Sequence, residues 1–287
     1  MQYKIKSDSF ELKDIFECGQ CFRWKEQANG SYTGVVDKCV INVEKTEKNI
    51  TFFGINLTNS QRDFETTINK YFDLEKDYKK IKKKLAKVDE NLKLSIEYGK
   101  GIRILNQNLW ETIISFIISA NNNIPRIKGI IERISEKYGK KIEWNQQCYY
   151  LFPTPKELSK ATVYDLRKLG LGFRDARVYE TTRLINSGIF DLETLYNLPT
   201  TEAREKLLTL PGVGPKVADC ILLFSDLKRF DVFPIDVWVR RVMNDLYIHN
   251  SEEHKVNKKQ IQKIANEKFG NLQGIAQQYL FYWKREA

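Results

Sequence analysis

Two residues stand out for the chemistry they could perform, Lys216 and Asp236. Lys216 follows a glycine-rich turn within Leu208 to Cys220, which reads LTLPGVGPKVADC. Asp236 lies twenty residues further on (236 − 216), in Val232-Phe233-Pro234-Ile235-Asp236-Val237. An unprotonated lysine amine attacks an electrophilic carbon and can form a Schiff base. Burial and a helix N-terminus both disfavour the ammonium form. A carboxylate nearby stabilises positive charge that develops on a reacting centre, as on a sugar when its N-glycosidic bond breaks. The chain has only two histidines, His249 and His254, so proton chemistry falls to carboxylates and lysines.

The elements that must hold this pair can be read from the flanking residues. A short helix from Arg204 to Thr209 should stop at Pro211. Gly212 and Gly214 permit a tight turn with positive φ. Pro215 suits the first turn of a new helix, which begins near Lys216. Its unpaired N–H groups point back at the turn and form a phosphate cradle that positions nucleic acid without reading its sequence. Pro234 restricts the chain before another helix and should leave Asp236 in its first turn, with a plain helix N-cap as the alternative role.

The rest of the chain divides in texture. Residues 30–55 alternate in the manner of an antiparallel meander: Tyr32, Val35 and Val36, an Asp37-Lys38 turn, then Cys39, Ile41 and Val43, then Ile50, Phe52 and Phe53. Ser60 can cap a helix carrying Phe64, Ile68 and Tyr71. The lysine-dense run Lys76 to Lys93 is read as a solvated helix face. From Leu109 to Ile118 the residues are apolar nearly all round, which calls for a buried helix. Ile127, Ile130, Ile131, Ile134 and Tyr138 mark one face of the next. The expected class is therefore α+β. An antiparallel β domain with flanking helices, residues 1–88, precedes an α-helical body, residues 89–287, with the hairpin at about 204–226.

Composition limits the partners. There are 47 basic and 37 acidic residues, a net charge of +10, which suits a polyanion. The apolar fraction of 42% can build a core, yet no run reaches the roughly 20 residues of a membrane span. A soluble intracellular chain is expected. Its five cysteines, Cys18, Cys21, Cys39, Cys148 and Cys220, are scattered and odd in number, against a disulfide framework. Cys18 and Cys21 form a CxxC pair, but a structural zinc needs about four ligands and only Cys39 is near.

The segment LPGVGPK, with the alanine-bearing helix and the aspartate that follow, resembles the helix-hairpin-helix DNA glycosylase superfamily. Four further segments resemble its 8-oxoguanine DNA glycosylases. They are Gly19-Gln20-Cys21-Phe22-Arg23-Trp24, Ser119 to Arg126, Leu169 to Arg174, and Gly274 to Phe281. The resemblance implies a two-lobed helical body and a cleft that grips a flipped base. It makes Lys216 the Schiff-base nucleophile and Asp236 the essential carboxylate. The Gly19 carbonyl would test for the N7–H that distinguishes 8-oxoguanine from guanine. Gln277 would bond the base's Watson–Crick edge, with Phe281 and Cys220 on its two faces. Gly212 and Gly214 would meet the phosphate. Asn121, Arg126 and Arg174 would contact the orphaned cytosine, and Phe173 would wedge beside it.

Phe173 stands where a tyrosine is usual, and Trp238 where the family often has a histidine near the phosphate backbone. The N-terminal domain is shorter than in many relatives. The implied reaction is removal of 8-oxoguanine opposite cytosine and β-elimination at the abasic site. The implied partner is double-stranded DNA containing oxidised guanine, met by a monomer in the cytoplasm of a bacterium at the nucleoid, or in a nucleus. No metal enters the chemistry, although a monovalent ion could sit in the hairpin turn. Two rivals stand beside this reading: a monofunctional glycosylase for another lesion such as an alkylated purine, and a non-catalytic helix-hairpin-helix DNA-binding module.

Overall fold

The computed structural model describes residues 1–252 and 255–286, Glu286 by its backbone alone; His254 lies outside the described residues. Strands β1 (Gln2–Lys6), β2 (Trp24–Glu26), β3 (Tyr32–Val36), β4 (Cys39–Thr46) and β5 (Asn49–Asn56) form one antiparallel sheet in the order β1-β5-β4-β3-β2. The Asp37-Lys38 turn is as expected, with Val36 paired to Cys39 and Asp37 at φ +49°. The simple alternation of β4 is not: Cys39 to Val43 are all buried. Both faces of the sheet are covered. One packs Ile41, Val43 and Phe52 against Phe10, Phe16, Phe64 and Phe72. On the other, Val35 and Val40 meet Ile142 and Leu151. Ile142 belongs to an unanticipated hairpin of β6 (Lys141–Trp144) and β7 (Gln147–Tyr150).

Helix α1 (Leu12–Phe16) buries Leu12, Ile15 and Phe16. Helix α2 (Gln61–Tyr71) starts as read, the Ser60 hydroxyl accepting from Asp63 N–H. The lysine run forms α3 (Tyr78–Leu85), which buries Tyr78 and Leu85, and leads into α4 (Glu90–Tyr98). The helical body continues with α5 (Leu109–Ser119), α6 (Ile124–Tyr138), α7 (Pro155–Leu158), α8 (Val163–Lys168), α9 (Asp175–Asn186), α10 (Thr194–Asn197), α11 (Thr200–Leu208), α12 (Pro215–Phe224), α13 (Val237–Met243), α14 (Lys258–Phe269) and α15 (Gln273–Glu286). In α5 every residue from Thr112 to Ile118 is buried, so it runs through the core with α12 packed on it. No helix among the described residues is long and apolar enough to cross a membrane.

A buried ionic junction ties the end of α12 to the N-terminal elements. Lys228 lies 3.2 Å from Asp73 and also donates to the Ile104 carbonyl. Burial pushes the Lys228 amine down to about 7, against the pull of Asp73. The unfolded chain holds this proton up to about pH 10.4, so stability should rise with pH between the two values. Below about pH 7 both states are charged and the cost of burying the charge is complete. Lys228→Met should flatten that rise, by at most about 1.4 kcal/mol per pH unit. Urea unfolding of both proteins at pH 7 and pH 9 measures the difference.

Candidate active site

The hairpin begins earlier than expected, since α11 runs Thr200–Leu208 rather than from Arg204. Gly212 takes φ +85°, and a Cβ there would come within 3.0 Å of Arg177 and Ile117. Gly214 departs from the reading: its φ is −91°, where any residue fits. What glycine supplies at 214 is room, because a Cβ would meet nothing within 4 Å. The turn is closed by Val213 N–H to the Leu210 carbonyl (3.0 Å) and by the Thr181 hydroxyl to the Pro211 carbonyl (2.9 Å). No side chain caps α12, so its first amides remain available to a phosphate in the open space before Gly214.

Helix α12 then places Lys216 and, one turn on, Cys220 beside the same narrow cavity of about 50 Å³. Asp236, Gly19, Gln277 and Phe281 line it as well, with Phe116, Phe224 and Gln278. Six residues named from four separate segments thus converge. The Lys216 amine sits 5.4 Å from the centre of the Phe116 ring, and Phe116 is itself stacked on Phe224. Burial pushes the Cys220 thiol up to about 11, which suits an uncharged packing surface. Asp236 is the N-cap of α13 and not a first-turn residue, because its backbone is extended (φ −103°, ψ −170°). One of its oxygens accepts from Val239 N–H at 2.8 Å. The other is left for the cavity, and no ion pair ties it to Lys216.

Gly19 is held from both sides. Gln278 donates to the Cys18 carbonyl at 2.5 Å. The wholly buried Gln20 donates to the Ile15 and Arg103 carbonyls, at 2.9 and 2.8 Å, and accepts from Leu105 N–H at 2.9 Å. Gly19 takes φ +85°, and a Cβ would approach Arg285 at 3.3 Å. Gln277 is 5% exposed, and its Oε1 has no hydrogen-bond partner. A buried acceptor left unpaired costs roughly 1–3 kcal/mol, so a ligand in the cavity that donates to Gln277 would relieve that cost.

Beyond the cavity a groove of about 590 Å³ opens, shared by Lys216 and Asp236 and bordered by Asn121, Trp238, Arg240 and Lys258. The three asparagines divide their work. Asn121, at φ +50°, takes the left-handed position that ends α5. Asn122 donates to the Ile118 carbonyl, and Asn123 caps α6. Only the Asn121 side chain is free of such duties. Phe173 is 54% exposed, with Arg174 and Arg177 over its ring. Arg126 is exposed and donates to the Gly170 carbonyl.

Arg174 is placed otherwise than its neighbours. It is 1% exposed and donates to the carbonyls of Ala120, Asn121 and Leu171. In this state it clamps the backbone of the Asn121 loop. Phe116, Gln278, Lys258 and Arg240 escaped the sequence reading. Phe116 lies in a helix apolar all round, and the anchoring of Gly19 by Gln278 spans most of the chain. Among the described residues no group of three His, Cys, Asp or Glu side chains could hold a metal ion.

A hairpin phosphate cradle, a lysine on its second helix, and a carboxylate facing the same cavity define a helix-hairpin-helix DNA glycosylase site. Residues 114–271 match the model of the HhH-GPD superfamily base excision DNA repair proteins, and the chain belongs to that family. Residues 2–113 match the N-terminal domain of 8-oxoguanine DNA glycosylase. The chain is 33% identical to an N-glycosylase/DNA lyase of Saccharomyces cerevisiae, over 88% of this chain and 74% of that protein. It is 32% identical to a probable N-glycosylase/DNA lyase of Methanothermobacter thermautotrophicus, over 79% and 77%. Among solved structures, it resembles Clostridium acetobutylicum 8-oxoguanine glycosylase/lyase in complex with double-stranded DNA containing cytosine opposite 8-oxoguanine. Identity there is 44%, coverage 100% and 98%, and the TM-score 0.91.

Proposed function

We propose that this protein is a bifunctional DNA glycosylase/AP lyase that excises 8-oxoguanine opposite cytosine from duplex DNA. The observation that carries the reading is the convergence of Gly19, Gln277, Lys216 and Asp236 on one cavity. The lesion is extruded from the stack into that cavity. The unpartnered Gln277 Oε1 accepts from the N–H donors of its Watson–Crick edge, and Phe281 and Cys220 take its faces. The Gly19 carbonyl accepts from N7–H. Guanine presents a bare N7 acceptor there, which the carbonyl repels. The Lys216 amine attacks C1′ as the base departs, and Asp236 stabilises the positive charge on the sugar. The resulting Schiff base permits β-elimination, which breaks the strand 3′ to the abasic site.

Asn121, Arg126 and Arg174 serve the orphaned cytosine and Phe173 wedges beside it, Arg174 leaving its carbonyl partners to do so. Gly212 and Gly214 bring the phosphate to the amides of α12. A monovalent cation would brace the hairpin without entering the chemistry: the Leu210 and Pro211 carbonyls each accept one bond and keep a second lone pair. The substrate places the enzyme on chromosomal DNA, in a nucleoid or a nucleus.

The test compares duplexes carrying 8-oxoguanine, guanine or 3-methyladenine opposite the natural partner. Release of 8-oxoguanine alone, with strand cleavage, is expected. Release of the alkylated base instead, or tight binding with no turnover, would overturn the reading. Gln277→Leu separates recognition from folding. Loss of the base contact should lower kcat/KM by roughly 10- to 100-fold, an effect of about 1–3 kcal/mol. The same change removes an unpaired buried acceptor, so the melting temperature should hold or rise.

A further inference from the structure

Two large apolar side chains lie open beside the catalytic carboxylate. Val237 is 55% exposed and Trp238 48% exposed, at the start of α13 directly after Asp236. The helix buries Val239, Val242 and Met243, which turns Val237 and Trp238 outward. Both line the groove that also holds Lys216, Asp236 and Asn121. Its basic residues, Lys216, Arg240 and Lys258, suit a polyanion, whereas Ala120, Val217, Ile235, Val237 and Trp238 give it an apolar wall. A tryptophan left half in water at the rim of a reaction site offers a flat surface that a nucleotide can cover. Phe173, another strongly exposed ring, does not line this groove, and Arg174 beside it holds the Asn121 carbonyl.

We infer that Trp238 is a stacking platform for the nucleotide that flanks the extruded one on the damaged strand. The assignment to that strand follows from its neighbours. Asp236 must face C1′ of the extruded nucleotide, and Trp238 stands two residues beyond it, in the first turn of the helix that Asp236 caps. The indole carries no charge, so its contact releases no counterion. Trp238 therefore adds affinity that salt does not screen, alongside phosphate contacts that salt weakens. A cationic or hydrogen-bonding residue at 238 would hold the backbone instead, and the two modes differ in measurable ways. The inference rests on the glycosylase reading.

The experiment measures binding to a duplex with an uncleavable abasic analogue opposite cytosine, over a range of salt, for wild type, Trp238→Ala, Trp238→Phe and Lys258→Met. Trp238→Ala should lose about fivefold or more in affinity, with an unchanged slope of log affinity against log salt. Trp238→Phe should recover most of that loss, and should abolish any DNA-induced change in tryptophan emission that this indole reports. Lys258→Met provides the contrast, a slope shallower by about 0.9. Melting temperatures control for folding, and an exposed ring predicts little change. Normal binding by Trp238→Ala overturns the inference, and so does a loss accompanied by a shallower slope, which would mean a phosphate contact. If wild type fails to release 8-oxoguanine in the separate excision assay, the glycosylase reading falls instead.

Discussion

Lys216→Gln should form no covalent adduct when borohydride is added to a duplex bearing 8-oxoguanine opposite cytosine, while wild type is trapped. Strand cleavage should fall by about 10³-fold or more, the scale expected when a covalent nucleophile is removed. The geometry supports the proposal that the lysine is the nucleophile rather than another phosphate anchor. It sits in the first turn of α12, but its side chain lines the narrow cavity along with Gln277 and Gly19, beside the Phe116 ring. The uncapped amides of α12 and the open space before Gly214 leave room for a phosphate without it. Duplex affinity should therefore change only a few-fold. Base release by the variant at the wild-type rate would make the enzyme a hydrolytic glycosylase and return Lys216 to a binding role. A large loss of affinity would do the same.

The site was legible where chemistry and local pattern coincide. Lys216 and Cys220 are one turn apart on a helix whose start is marked by glycine and proline, and Gln277 and Phe281 are one turn apart on another. Their convergence on one cavity needs the whole fold, yet each half could be read locally. Asp236 carries both readings, first-turn residue and helix N-cap, because the two look alike beside Pro234, and the structure makes it the cap. Arg174 shows a different limit. The resemblance marks it as a basic residue near the DNA, but its burial against three carbonyls depends on where α5 ends. In the fold, β1 carries little sequence signal although Tyr3 and Ile5 alternate with lysines, because a five-residue edge strand offers too short a pattern. The β6–β7 hairpin turns through Asn145 and Gln146, both at positive φ (48° and 60°). With no glycine at either position, its turn was invisible to residue type. That hairpin is what covers the second face of β4 and blurs its alternation.

On the proposed mechanism Asp236 has two tasks, and substitution can part them. Its side chain caps α13 through Val239 N–H, and its remaining oxygen faces the cavity. Asparagine caps a helix about as well as aspartate, so Asp236→Asn should keep the melting temperature nearly intact. It cannot supply a negative charge to the sugar. Losing that electrostatic contribution should slow single-turnover release of 8-oxoguanine by about 10²- to 10³-fold. Asp236→Ala should add a stability loss of about 1 kcal/mol, because the cap goes too. On a duplex with a preformed abasic site the Asn variant should still give a borohydride-trapped adduct, since the exposed aldehyde asks only for the Lys216 amine. Excision by Asp236→Asn at the wild-type rate would reduce the carboxylate to a cap and leave Lys216 without the charge that its attack on an intact nucleotide requires.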